Sequence, residues 1–257
     1  MSVNSYLQDL SSNLVLSQDE KDIITVSLDT LKKRLAYYSF QESIYEKIVF
    51  GSYTRETILP RKYDEKSDID FLVVYSHIYG YKPQTYLNWL KNFVEYYYSS
   101  SEIYQSSPTI VLELQHIKFE ITPGYSSYGS YLIPNGISEW QLTQIKTDDQ
   151  ALVNCNKENG YKIKPIIRLI KRWNVAKNRR RLASYFMEKI IANTFFYDCH
   201  SYTDYLLFAL NRIKERTHTN FDELDKVIQG IKEALNDEAN GHPLFAELQI
   251  KKYFPEV

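Results

Sequence analysis

Apolar positions recur at helical spacing in some stretches of the chain and at strand spacing in others, and the two periods predict most of its elements. Ser17-Gln18-Asp19-Glu20 has the form of a capping box, and Ile23, Ile24, Leu28, Leu31 and Leu35 follow every three or four residues. This predicts a helix reaching about Tyr38. Residues 47–50 read as a short strand that enters Gly51-Ser52. Residues 69–75 are apolar and β-branched almost throughout, as a buried strand requires. Pro83 suits the first turn of a helix whose apolar stripe is Tyr86, Leu87, Leu90, Phe93, Val94 and Tyr97. Residues 109–114 and 117–121 read as two strands that stop before Pro123-Gly124. Residues 126–134, rich in Ser, Tyr and Gly, read as a loop.

From about Ile137 the character changes. Helical periodicity dominates over 139–153, 163–175, 184–197, 202–216 and 222–236, with no strand expected. The fold class is therefore α+β. The expected division is an N-terminal helix and catalytic half over residues 1–136, then a helical half over residues 137–257. Neither a repeat nor a low-complexity linker separates them, so the halves are expected to pack together.

Composition narrows the function classes. The 257 residues are 44% hydrophobic and 25% charged, as in ordinary globular proteins. A formal net charge of −1 excludes a histone-like polyanion binder, so any contact with nucleotide phosphates has to come from a local basic patch. The 23 tyrosines could offer stacking platforms, but each one taken singly fits amphipathic packing better. The longest apolar runs fall far short of the ~20 residues needed to span a bilayer. The first residues carry neither a basic nor an apolar signal region, and Cys155 and Cys199 fit a reducing compartment. A cytoplasmic protein without membrane contact is expected. His77, His116, His200, His218 and His242 are scattered and show no paired zinc spacing with the cysteines.

The chemistry concentrates in a few places. In a strand, residues i and i+2 share a face, so Asp68 and Asp70 project together while Ile69 and Phe71 turn inward. Two carboxylates held side by side repel unless a cation lies between them, and hard oxygen ligands suit Mg²⁺, with Mn²⁺ as the alternative. By itself Asp-x-Asp is also what a strand emerging from a loop looks like. The preceding Gly51-Ser52, one loop earlier, turns the reading towards a metal–phosphate site. There, glycine lets backbone N–H groups approach a phosphate and the hydroxyl adds a donor. A two-metal site needs another acid from a neighbouring strand, and Glu120 on 117–121 is preferred over Glu113. Lys164, Arg168, Lys171 and Arg172 make one basic stripe, either a solvated face or a set of triphosphate donors with Lys171 foremost. Ser184 reads as an N-cap and Tyr185 as a core residue, or the pair as a phosphate and base contact at a helix start. Arg179-Arg180-Arg181 reads as a solvated loop.

Together these residues resemble the polymerase-β-like nucleotidyltransferases, with a mixed-sheet palm, flanking helices and a helical second half forming one cleft. Phe50-Gly51-Ser52-Tyr53-Thr54-Arg55-Glu56-Thr57, Leu59-Pro60-Arg61 and Ser67-Asp68-Ile69-Asp70 look most like the bacterial CD-NTases. That is the cyclic GMP–AMP synthase/DncV-like family, also called SMODS. The segments 162–174 and 182–188 are similar to its helical-half signature, so the resemblance runs over about residues 10–200. It implies that Asp68, Asp70 and Glu120 hold two Mg²⁺. It also implies that Ser52, Lys171 and Ser184 hold the triphosphate and that Tyr185 stacks on the base. The implied activity joins nucleoside triphosphates into cyclic or linear oligonucleotide second messengers. A separate effector senses the product in antiphage defence, and a regulatory protein partner is compatible with this. Two positions depart from the family pattern: Glu120 stands where Asp is usual, and Glu56 where a small residue, often Gly, is common. The rival readings are an enzyme tailing RNA or DNA ends, a transferase modifying a small molecule or protein, and a non-enzymatic scaffold. The presence of all three carboxylates speaks against the last.

Overall fold

Ser17 and Glu20 cap each other as the sequence predicts. The Ser17 N–H donates to Glu20 Oε2 at 2.8 Å, and the Glu20 N–H donates to Ser17 Oγ at 3.2 Å. The computed structural model describes residues 1–38, 44–76, 80–217 and 222–256, so His77 and His218 lie outside the described residues. In chain order the elements begin with helices α1 (Val3–Asn13) and α2 (Gln18–Tyr38) and strands β1 (Ile44–Phe50) and β2 (Asp68–Tyr75). Next come α3 (Pro83–Tyr97), β3 (Glu102–Ser106), β4 (Thr109–Glu113), β5 (Lys118–Ser127), β6 (Ser130–Asn135) and β7 (Glu139–Thr143). The remainder is helical: α4 (Ile145–Glu158), α5 (Ile163–Ala176), α6 (Ser184–Ala192), α7 (Tyr202–Arg216), α8 (Asp222–Ala239) and α9 (Pro243–Tyr253).

The chain divides into two compact units that interleave in sequence, unlike the division at 136/137 expected above. One comprises Met1–Val15, Arg55–Glu65 and Thr147–Val257, the other Leu16–Thr54 and Lys66–Lys146.

The second of these is built on a seven-stranded sheet in the order β1-β2-β5-β4-β3, with β6 added to β5 and β7 to β6. The β2–β5 pair is parallel and the other pairs are antiparallel. Alternation along β2 sets its two faces. Ile69, Phe71, Val73 and Tyr75 are buried, and the Tyr75 ring meets Tyr86 and Trp89 of α3 at 5.4 and 5.5 Å between centroids. On the opposite face Asp68 and Asp70 are followed by Leu72 and Val74, which pack with Tyr131.

Three local expectations fail in this unit, each for a tertiary reason. β5 does not stop before Pro123-Gly124. Its first half pairs with β4 over 118–121 and its end pairs with β6 over 125–127. Pro123, which has no N–H to donate, falls where one partner strand ends and the next begins. The supposed loop 126–134 is a hairpin: Tyr128 (φ 49°) and Gly129 (φ 80°) form a two-residue turn, and Ser127 pairs with Ser130. Residues 139–143 form β7 on the β6 edge, so the helix expected from 139 begins only at Ile145. Strand β3 was not anticipated.

In the first unit, α1, α5 and α7 pack on one another around a core that includes Trp173, Leu7, Leu10 and Leu210. Leu59 and Tyr63 join this core, which is why the 55–65 segment belongs here. Asn174 on α5 donates to the Leu182 carbonyl at 2.8 Å and accepts from the Leu182 N–H at 3.2 Å, fixing the chain as it enters α6. Helices α7 and α8 begin where the periodicity predicts, and a capping box of Ser201 and Asp204 opens α7. Helices α1 and α9 were not expected from periodicity. Among the described residues no helix is long and apolar enough to cross a membrane.

Candidate active site

Two register relationships assemble the site on the sheet. β1 runs antiparallel to β2 and ends at Phe50, opposite Asp70, so the Gly51-Ser52 turn leaves the sheet beside that carboxylate. β5 runs parallel to β2, with Glu120 opposite Asp70 and Lys118 opposite Asp68. Residues paired this way share a face, so Asp68, Asp70, Lys118 and Glu120 project from one patch. Glu113 lies one strand further out, on β4 opposite Lys118.

Gly51 takes φ +80°, and a Cβ there would lie 2.7 Å from Asp70 Cγ. Only glycine meets both conditions, the left-handed backbone and the close approach. The Thr54 hydroxyl donates to the Gly51 carbonyl at 3.0 Å and closes the turn that carries Ser52.

Lys118 Nζ lies 2.9 Å from Glu120 Oε1 and 3.0 Å from Asp68 Oδ2. Burial, and then the charge of Glu120, push the Asp68 carboxyl up to about 6, with Lys118 pulling the other way. Burial works against the Lys118 ammonium, but its bonds to Glu120 and Asp68 hold its pKa above the ordinary lysine value. Among the described residues no three His, Cys, Asp or Glu side chains stand around a common point as metal ligands do. The donor set nonetheless fits a hard divalent cation: three carboxylates on neighbouring strands, crowded enough that burial and mutual repulsion disfavour charge on Asp68.

Three of the four basic side chains of the α5 stripe face protein rather than solvent. Arg168, Lys171 and Arg172 are all buried, and each donates to backbone carbonyls. Arg168 bonds Glu56 O at 2.9 Å, Lys171 bonds Thr57 O at 3.1 Å, and Arg172 bonds Tyr63 O at 3.3 Å and Pro255 O at 3.1 Å. The stripe thus holds the irregular 55–65 segment, whose carbonyls lack a ladder of their own. The expectation of Lys171 as a triphosphate donor is corrected accordingly. The residue is 6% exposed, and its ammonium forms an ion pair with Glu188. Glu188, the last residue of the 182–188 segment and given no role by the sequence, is the hub of this network. It also accepts from Arg55 Nε at 2.6 Å and from Thr57 Oγ1 at 2.8 Å, while Arg55 reaches Asp149 at 2.9 Å. Burial raises the Glu188 pKa, but the charges of Lys171 and Arg55 and the hydrogen bonds from Lys171 and Thr57 outweigh it and hold the carboxyl below its usual range.

Ser184 is the first residue of α6 and exposed. The N-cap is Ala183, not Ser184 as expected. Tyr185 is half-exposed rather than a core residue, and its hydroxyl donates to Asp148 Oδ2 at 2.6 Å and accepts from Lys189 Nζ at 3.2 Å. Arg180 is tied to Asp64 at 2.6 Å, so the arginine run is only partly a solvated loop. Lys118 is a functional-site residue to which the sequence assigns no role. Its position two residues before the acid, on the same strand, was the available signal.

Solved structures share this fold. CdnC of E. coli MS115-1, solved with ATP, superposes with a TM-score of 0.74 over 98% of each chain at 12% identity, and the same protein is known in complex with HORMA-deltaN. The fold is thus that of the polymerase-β-like nucleotidyltransferases. Residues 1–156 match the Second Messenger Oligonucleotide or Dinucleotide Synthetase domain (SMODS), and the chain belongs to that family. Similar proteins include a probable cyclic nucleotide synthase of Bacillus cereus (strain VD146), 29% identical over 106 residues, or 38% of this chain. The cyclic AMP-AMP-AMP synthase of Acinetobacter sp. (strain ATCC 27244 / 9458) is 22% identical over 224 residues, or 84% of this chain. The matched regions span 32% and 65% of those proteins' own lengths.

Proposed function

We propose that the chain is a template-independent nucleotidyltransferase that joins nucleoside triphosphates into cyclic or linear oligonucleotide second messengers in bacterial antiphage defence. One observation carries the reading: the strand register brings Asp68, Asp70, Glu120 and the Gly51-Ser52 turn to one end of one sheet. Asp68, Asp70 and Glu120 would hold Mg²⁺, or Mn²⁺ in its place. When bound, the divalent ions neutralise charge on the reacting phosphates and acidify the attacking hydroxyl. A ribose hydroxyl attacks the α-phosphorus, the bond to the β-phosphate breaks, and pyrophosphate leaves. Glu120 takes up the hydroxyl proton, and the Ser52 hydroxyl with the N–H groups of its turn binds phosphate oxygens. Ser184, at the start of α6, and the exposed ring of Tyr185 are the nucleotide contacts on the helical unit. The role of Lys171 is to position residues. Paired with Glu188, it holds the Thr57 backbone and α6 in place. Catalysis is then mostly positioning and charge neutralisation.

The product acts on a separate effector, and the protein works in the cytoplasm. The CdnC complex with HORMA-deltaN supports a regulatory protein partner. Incubation with labelled NTPs and dNTPs plus Mg²⁺ or Mn²⁺, followed by separation of products, tests the activity. Pyrophosphate and short oligomers are expected, and Asp68→Ala with Asp70→Ala should abolish both. Turnover only with an added RNA end would instead make this a tailing enzyme, and undiminished turnover in the double variant would refute the site.

A further inference from the structure

Lys118 is a cation placed where a metal-binding cluster needs one. Its ammonium spans Asp68 and Glu120, at 3.0 and 2.9 Å, and its side chain is only 14% exposed. The arrangement follows from the fold: Lys118 stands opposite Asp68 in the parallel β2–β5 register and two residues before Glu120 on the same face. A bare cluster of three carboxylates would draw divalent cations from solution. With Lys118 in place, Asp68 and Glu120 are paired with its ammonium, and a bare cation has to displace that ammonium from both carboxylates in a partly buried site. A cation arriving on a nucleoside triphosphate brings phosphate oxygens that can pair with the ammonium.

Resting on the nucleotidyltransferase reading above, we infer that Lys118 is a resident counter-cation that couples metal loading to nucleotide binding by passing its pairing from Asp68 and Glu120 to the triphosphate. The coupling is reciprocal, because metal binding frees the ammonium for phosphate and phosphate draws it from the acids. Metal without nucleotide is bound weakly, and the two load together.

Mn²⁺ titration, followed through the electron paramagnetic resonance signal of the free ion, tests this with and without a non-hydrolysable NTP analogue. Wild type is compared with Lys118→Met and Lys118→Arg. Lys118→Met should bind bare Mn²⁺ at least about tenfold more tightly than wild type, since a unit charge beside the ligands is gone. The factor by which the nucleotide improves Mn²⁺ binding should shrink correspondingly. Lys118→Arg keeps the charge and should stay close to wild type, a difference that a merely structural lysine would not produce. If Lys118→Met melts early, Lys118→Gln must show the same tightening. Equal bare-metal affinity in wild type and the neutral variants, with nucleotide still recruiting Mn²⁺, overturns this inference alone. No Mn²⁺ binding to any of the proteins, even with nucleotide, overturns the metal-dependent reading along with it.

Discussion

Gly51 lies so close to Asp70 that a Cβ at position 51 would stand 3.0 Å from the Asp70 Cβ and closer still to its carboxylate. The turn and the acid come from separate strands, 19 residues apart, and the Phe50–Asp70 register makes them neighbours. Gly51→Ala should therefore move the carboxylate as well as strain a backbone at φ +80°. Loss of stability should be about 1–3 kcal/mol by denaturant unfolding. Nucleotide incorporation should fall by about 100-fold or more, because a small displacement of a reacting group costs that much. Near-normal turnover would show that Asp70 does not need its present position.

Glu188 should control acid stability in the helical unit. Its folded pKa lies below the ordinary glutamate value of 4.5, so the unfolded chain binds its proton first as pH falls. The stabilisation is complete above 4.5 and is lost as pH falls through the folded value. Glu188→Gln leaves Lys171 and Arg55 buried without their counter-charge and should cost about 3–5 kcal/mol at neutral pH. The difference between wild type and the variant, measured by urea unfolding at a series of pH values, should shrink below 4.5. A difference that is constant down to acid pH would mean the pair contributes through packing alone.

Glu56 holds φ 58°, a left-handed backbone that favours glycine, so the small residue that the resemblance leads one to expect here would fit this backbone with less strain than glutamate. Its side chain is 72% exposed and pairs with Lys164 at 2.6 Å. Glu56→Gly relieves about 1–2 kcal/mol of backbone strain and loses an exposed ion pair worth about 0–1 kcal/mol. Glycine also gives the unfolded chain more freedom, which offsets part of the gain. The expected net change lies within about 1 kcal/mol of zero by calorimetry. A larger loss would mean that the Lys164 pair fixes the segment.

Gly230 on α8 lets Tyr253 of α9 pack directly on the helix backbone, since a Cβ there would stand 2.6 Å from the ring Cζ. Gly230→Ala should destabilise by about 1–3 kcal/mol through overpacking. Adding Tyr253→Leu should recover part of that loss, because the two positions share one contact. Strict additivity of the two changes in thermal melts would place the effect elsewhere.

The carboxylates were legible because strand alternation is local: Asp68 and Asp70 share a face in any strand, whatever packs around it. The Gly51-Ser52 turn gained meaning only from its distance to them. Helices α2, α5, α7 and α8 were legible because their apolar stripes repeat at one period over several turns. Strands β6 and β7 were not, because a hairpin edge rich in Ser, Tyr and polar residues looks like a loop until a neighbour pairs with it. Helices α1 and α9 were missed although each is 11 residues long and packs into the helical core.

The sequence by itself determined that acids two apart on a strand, a glycine turn and a third acid were present, and so the class of chemistry. Only the tertiary structure decided which charges face that chemistry. A basic stripe looks the same in sequence whether phosphate, water or carbonyl oxygen covers it. On α5 it is the carbonyls of residues 55–65, because an irregular buried segment has to find donors for its backbone. Lys118, unremarkable as the second residue of a predicted strand, became the cation between Asp68 and Glu120 once parallel pairing set it opposite Asp68. Strand register is a long-range property, and the local pattern does not contain it.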